Sequence, residues 1–162
     1  MANYSDSTLS NPLFKARMKA AERNDRIFSR AGVEQAIGIS EDRLSRIESD
    51  LSVARPDEIV LMAELYHEPS LKNWYCRKCC PLGKDRPEVK DESIDRITIR
   101  LLASMENIER QRTRLLDMVK DGLISEDERP VLKDILDGLN DLAIGNLSLR
   151  NWIEKNMKDG EV

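Results

Sequence analysis

The stretch Phe28–Glu48, FSRAGVEQAIGISEDRLSRIE, restricts the fold more than any other part of the chain. It reads as two short helices joined at Gly38. Val33 and Ile37 are four residues apart and Leu44 and Ile47 are three apart, so each pair lies on one helix face. Ile39 fills the corner between the helices, and Gly38 suits a turn that needs positive φ, which costs other residues energy. Ser29 is positioned to cap the first helix and Ser40 the second. Two short helices with this spacing form a compact helix-turn-helix.

A second helix exposed beyond such a turn suits the placing of side chains in the DNA major groove. Glu41, Asp42, Arg43, Ser45 and Arg46 are therefore the candidate readers on that helix. Arg can bind guanine bidentately, and Glu or Asp can accept from cytosine N4. Ser29, Arg30 and Ser40 are candidate phosphate contacts, because helix N-termini and hydroxyls suit that task. For Arg46 the options are base contact, phosphate contact or an ion pair, with base contact favoured. Glu48 reads as structural, a partner for a nearby Arg.

The 162-residue chain has 40% hydrophobic but only 4% aromatic residues, so aliphatic packing must fill its core. Charged residues reach 35%, and long alternating Val/Ile/Thr/Tyr runs are missing, which points away from sheet. The expected class is all-α: a compact helix-turn-helix domain of about five helices, then a long antiparallel helical hairpin. The net charge is −4, but its distribution matters more. Residues 1–90 carry 15 basic and 14 acidic side chains, net +1, while residues 91–162 carry 11 and 16, net −5. The acidity belongs to the C-terminal part.

Residues 1–10 are polar and read as a disordered arm. Asn11-Pro12 is a good helix entry, since the amide caps and proline's missing N–H costs nothing in the first turn. A helix over about 12–24 buries Leu13, Ala16, Ala20 and Phe14 and exposes Lys15, Lys19 and Arg23. SDLSVARP reads as a linker, and Pro56-Asp57-Glu58 opens another helix with an acidic first turn. There Ile59, Met62, Ala63 and Tyr66 share a face that Val60 and Leu61 broaden. Pro69 ends it, and SLKNWYCRKCC supplies one more short helix.

The boundaries expected are 11–84 for this domain, 85–90 for a linker and 91–158 for the hairpin. GKDRPEVKDE carries the linker's charge and its Gly83 and Pro87. Ile94, Ile97, Leu101, Ile108, Leu115 and Met118 give a heptad-like, coiled-coil seam interrupted by Ser104 and Gln111. Asp121-Gly122-Leu123 resembles a helix C-cap, and Ser125 with Glu128 a capping box for the next helix. Leu132, Ile135, Leu139, Leu142, Leu149 and Ile153 continue the apolar spacing, with Gly138 and Gly145 weakening it locally. Such a hairpin encloses its own apolar face poorly. It can pack on the N-terminal domain or pair with a second hairpin in a four-helix bundle, and pairing is favoured.

Cys76-Arg-Lys-Cys79-Cys80 contains a C-x-x-C, with His67 nine residues upstream of Cys76. Three readings stand: a metal site using His67, Cys76, Cys79 and Cys80; a thiol sensor; and packed, reduced cysteines. The last is favoured, because adjacent Cys79 and Cys80 reach one ion awkwardly and a second C-x-x-C is missing. No metal or cofactor is expected. The clustered cysteines suit a reducing cytoplasm. MANYSDSTLSNPLF lacks a basic segment followed by an apolar one, and no apolar run nears the ~20 residues that span a bilayer. The chain also lacks a phosphate-cradling glycine loop, a GxSxG elbow and an HExxH, and it has one histidine, so it is not expected to be an enzyme.

Over residues 12–84 the chain resembles the XRE-like (lambda-repressor-like) helix-turn-helix regulators. The framework is Phe28, Ser29, Val33, Ile37, Gly38, Ile39, Ser40, Leu44, Ile47 and Glu48, followed by Pro56 and the LMAELY helix. The fuller pattern is similar to a Firmicute and mobile-element subgroup that starts NPhhhAR and ends YC…CP(I/L)G, here Asn11 to Arg17 and Tyr75-Cys76 to Cys80-Pro81-Leu82-Gly83. The resemblance implies a DNA-binding, repressor-like transcriptional regulator, usually a homodimer on double-stranded DNA. It also implies a small residue, usually alanine, after Val33. This chain has Glu34, whose carboxylate must bend outward unless the helices separate, because a buried unpaired charge is too costly. Glu34, Glu41, Asp42 and the modest basicity motivate the alternative: a non-enzymatic adaptor or antirepressor that uses a helix-turn-helix scaffold to bind a protein partner.

Overall fold

The computed structural model describes residues 5–84, 86–118 and 125–157. It is all-helical, with no strand among the described residues. Two compact units divide the chain between Arg86 and Pro87, inside the 85–90 segment expected to link them. No helix among the described residues is long and apolar enough to cross a membrane.

In the first unit α1 (Asp6–Ser10) and α2 (Pro12–Ala21) precede a 3₁₀ turn (Asp25–Phe28). Then come α3 (Arg30–Ile37), α4 (Glu41–Glu48), α5 (Pro56–Leu65) and α6 (Ser70–Lys78), with a last 3₁₀ turn at Pro81–Gly83. The start signals sit where the sequence has them. Ser29 Oγ accepts from Gly32 N at 3.0 Å, Ser40 Oγ accepts from Arg43 N at 3.3 Å, and Gly38 adopts φ +73°. Each such hydroxyl cap stabilises a helix by ~1 kcal/mol. Leu13, Ala16, Ala20, Ile27, Val33, Ile39, Leu44, Ile47, Ile59, Met62 and Tyr66 form one core, with Ile37, Leu65, Trp74 and Tyr75 packed against it.

Four details depart from the sequence expectation. Residues 6–10 are helical, not a disordered arm, and Thr8 is buried, its hydroxyl 3.2 Å from that of Ser49. The helix expected over 12–24 stops at Ala21 and tightens into the 3₁₀ turn. Val60 and Leu61 are exposed and do not broaden the α5 core face. That helix also ends before Pro69, which instead sits at the start of α6. His67 takes up φ +50° just past α5, where Glu68 N donates to Ala63 O at 2.9 Å. This is a six-residue closing turn that usually takes glycine.

The second unit is α7 (Ile94–Met118) against α8 (Arg129–Asn156). The pair is antiparallel: Asp91 meets Lys155 at 2.5 Å, Leu101 abuts Gly145, and Gln111 Nε2 donates to Asp134 O at 3.3 Å. Asp121-Gly122-Leu123 lies outside the described residues. Glu128 accepts from Ser125 N and Oγ at 2.8 and 2.7 Å, so the expected box holds the turn before α8, while α8 itself begins at Arg129.

Most of the expected aliphatic positions are buried or half-buried in the seam, with two exceptions and several small residues added. Leu115 and Leu139 are exposed, while Ser104, Gly138, Gly145 and Ser148 are buried with Ile97, Met118 and Ile135. A Cβ on Gly145 would meet Leu101 Cδ2 at 2.6 Å, and one on Gly138 would meet Asn107 Nδ2 at 3.2 Å. The glycines that read as weak points leave room for α7 side chains to lie against the α8 backbone.

Candidate nucleic-acid interface

The helix α4 is held at both ends by polar contacts and in its middle by Leu44 and Ile47. At its start, Glu34 resolves the crowding expected beside Val33. Its side chain turns outward, is exposed, and accepts from Glu41 N at 3.0 Å. A carboxylate on the first turn interacts favourably with the helix dipole, so Glu34 ties α3 to α4.

At the other end, Glu48 and Arg17 are fully buried. Arg17 Nε and Nη2 donate to the two Glu48 oxygens at 2.5 and 2.9 Å, and Nη1 donates to Phe28 O and to Ile27 O. The guanidinium also lies 5.3 Å from the Phe14 ring centre. Arg30 Nε donates to Glu48 Oε2 at 2.9 Å. Asn11, buried, caps α2 through Oδ1 and donates through Nδ2 to Ile47 O at 3.1 Å and to Asp50 Oδ1 at 2.8 Å. Asp50 has φ +57°, and Leu51 N donates to Arg46 O at 2.9 Å, closing α4 as His67 closes α5. Tyr66, buried beside this network, has a hydroxyl with no hydrogen-bond partner among the described residues; burial, reinforced by the Glu48 charge, pushes its pKa up.

The candidate readers divide into two groups. Arg43 turns inward: Nε and Nη2 donate to Glu58 at 3.0 and 2.8 Å, Nη1 to Ser52 Oγ and Nη2 to Val53 O. It braces the 49–55 loop, so the expectation that it reads bases gives way to an intramolecular role. Burial pushes the Glu58 carboxyl up, but hydrogen bonds from Arg43 and from Arg55 N outweigh it and hold the pKa below the ordinary value. Arg30 is likewise engaged, by Glu48. Glu41, Asp42 and Arg46 remain exposed on the outer face of α4, with Ser45 half-buried among them. Arg46 makes no ion pair among the described residues.

Ser29 and Ser40 spend their oxygens as caps; the Ser40 hydroxyl proton has no acceptor among the described residues, while the Ser29 hydroxyl donates to Arg26 O at a long 3.5 Å. Beside Ser40 lies an open cleft of about 460 Å³ lined by Gly38, Ile39, Ser40, Arg43, Arg55 and Glu58. Arg55, which the sequence reading did not single out, is exposed there and only loosely paired, 3.3 Å from Glu58 and 3.7 Å from Asp57. Its place directly before Pro56, at the start of a helix, is the signal that marks it.

The cysteines sit at the end of α6. Cys76, Cys79 and Cys80 are free thiols, each half-buried, and burial with the nearby Asp50 charge pushes the Cys79 thiol up. His67 is exposed, and among the described residues no group of three or more His, Cys, Asp or Glu is arranged to hold a metal ion. Compared with known proteins, the chain matches no family model, no curated protein and no solved structure.

Proposed function

We propose that the chain is a sequence-specific, double-stranded-DNA-binding transcriptional regulator, repressor-like, acting as a homodimer. One observation carries this reading. The helix α4 is fixed at both ends by buried or capping contacts, while Glu41, Asp42 and Arg46 stay on its solvent face. Its eight residues span about 12 Å, the width of the B-DNA major groove. Arg46 is the base reader, suited to guanine O6 and N7. Glu41 and Asp42 accept from cytosine N4 or repel other sequences. Ser29, Ser40 and Arg55 contact phosphates; Arg43 and Arg30 shape the surface from within.

The hairpin unit joins two reading units, which suits a palindromic operator with half-sites about one turn, ~34 Å, apart. No catalytic role, metal or cofactor is part of this reading. Mobility shift against upstream and random duplexes tests it. Binding that weakens steeply with salt and is reduced by Arg46→Ala is expected, and no salt-sensitive binding to any duplex overturns it.

A second reading is favoured by the commitment of Arg30 and Arg43 inside the unit, which leaves acids prominent at the start of α4. On that reading the unit is an adaptor or antirepressor for a basic protein partner. Co-purification of such a partner, with no DNA affinity even for Glu41→Gln/Asp42→Asn, distinguishes it.

A further inference from the structure

Among the described residues the hairpin leaves more large apolar side chains outside than it encloses, and five of these seven, all but Ile99 and Leu115, lie on one side of it. On α7, Leu102, Met105 and Leu116 each follow by one position a residue of the seam expected from the sequence or buried in the contact: Leu101, Ser104 and Leu115. On α8, Leu136, Leu139 and Ala143 follow Ile135, Gly138 and Leu142 in the same way. One residue is a 100° turn in the same rotational sense on each helix. In an antiparallel right-handed pair, such displacements emerge on the same side of the hairpin. The five larger residues are between 48% and 62% exposed.

The opposite side differs. The positions one before the seam are Arg96, Arg100, Arg110 and Arg114 on α7 and Asp134, Asp137 and Asp141 on α8, which makes this side the more charged of the two. The hairpin is therefore a thin slab, drawn close by Gly138 and Gly145, with one charged side and one aliphatic side. One position after the seam, three acids (Asp95, Glu109, Glu154) and three bases (Arg112, Lys133, Arg150) also fall on the aliphatic side, and Glu109 and Arg112 pair with each other at 3.2 Å.

We propose that a second copy of this chain docks on the Leu102–Met105–Leu116–Leu136–Leu139 side, closing a four-helix bundle in which two slabs meet face to face. This rests on the reading of the hairpin as the dimerising unit and names the side it uses. With α7 25 residues long and helices ~8–10 Å apart, the side measures roughly 37 by 20 Å. That is on the order of 700 Å² per copy, close to the ~800 Å² per partner of a standard stable interface. The equal numbers of acidic and basic residues on that side favour an identical partner over a strongly charged one. The apolar residues themselves run from Leu102 to Leu116, about 21 Å of that length, and exposed apolar patches of this size mark interaction surfaces.

Sedimentation equilibrium of the full chain at micromolar concentration tests this. The expected result is a dimer, with Leu136→Glu/Leu139→Glu weakening it roughly a hundredfold or more while helical circular dichroism is retained. Asp137→Asn, on the charged side, is expected to leave the dimer unchanged. As a measurement that does not depend on the double variant folding, a benzophenone photocrosslinker replaces Leu139 in a mixture of isotope-labelled and unlabelled chains. Crosslinks between labelled and unlabelled copies, to residues 102–116, are expected. A monomeric wild type, a helical double variant that stays dimeric, or crosslinks confined to one chain would each overturn the proposal. A dimer of this kind that binds no duplex keeps the proposal and removes the regulator reading; a monomer that binds one half-site does the reverse.

Discussion

Glu58 holds Arg43 through both carboxylate oxygens, accepting from Nε at 3.0 Å and from Nη2 at 2.8 Å across fifteen residues of sequence. The pair ties the first turn of α4 to the first turn of α5. It also takes from the exposed face of α4 an arginine that sequence position alone would put there.

The Glu58 pair makes stability depend on pH in a defined direction. The folded carboxyl is held below its ordinary value, so the unfolded chain takes up the proton first as pH falls. The contribution is complete above the unfolded value of ~4.3 and is lost as pH drops through the folded one. Urea midpoints of wild type and Glu58→Gln should therefore differ most at pH 6–7 and converge below about pH 4. A gap that widens toward acid contradicts this.

Glu48→Gln leaves Arg17 charged and fully buried without its counter-ion. Breaking a buried pair in this way costs ~3–5 kcal/mol. Arg30→Ala, which removes a half-exposed donor to the same carboxylate, should cost only ~1 kcal/mol. Equilibrium urea unfolding of the two variants measures the ratio, and equal losses would contradict the assignment of Arg17 as the principal partner.

Two glycine substitutions should rank in a fixed order. At Gly38 an added Cβ meets nothing within 4 Å, so Gly38→Ala carries only the left-handed backbone cost of ~1 kcal/mol. At Gly32 the Cβ would lie 1.8 Å from Arg26 O, a backbone atom that cannot step aside. Gly32→Ala should cost ~2 kcal/mol or more, and thermal melts giving the reverse order would contradict the close approach of α3 to the 3₁₀ turn.

Glu34→Ala removes the acceptor for Glu41 N and a negative charge next to the proposed interface. Stability should fall by ~0.5–1 kcal/mol, as for loss of a capping group. Affinity for duplex DNA should rise several-fold, with the gain shrinking at high salt. Fluorescence anisotropy at two salt concentrations measures both features, and weaker binding by the variant would show that Glu34 assists the contact.

The sequence displayed the local features of the fold well. Ser29, Gly38 and Ser40 do their work within four residues of chain, and Val33, Leu44 and Ile47 are in the core their spacing required. The fates of the charged residues were not legible. Arg43 and Arg46 look alike in sequence, but only Arg43 lies within reach of Glu58, and that depends on how α5 docks. Asn11 was readable as a cap; its grip on Ile47 and Asp50, 36 and 39 residues away, was not. In the hairpin, Ser104, Gly138 and Gly145 read as interruptions because a heptad pattern rewards large apolar residues, while a close helix crossing needs small ones.

The central claim is that α4 reads DNA through Arg46. Selection of bound sequences from a random duplex library, with wild type and Arg46→Ala in parallel, tests it most directly. The account predicts that wild type enriches two-fold-related half-sites about one helical turn apart, and that Arg46→Ala loses preference at one position, a guanine, in each half-site. Enrichment of no sequence by the wild type, or identical motifs from both proteins, would contradict it.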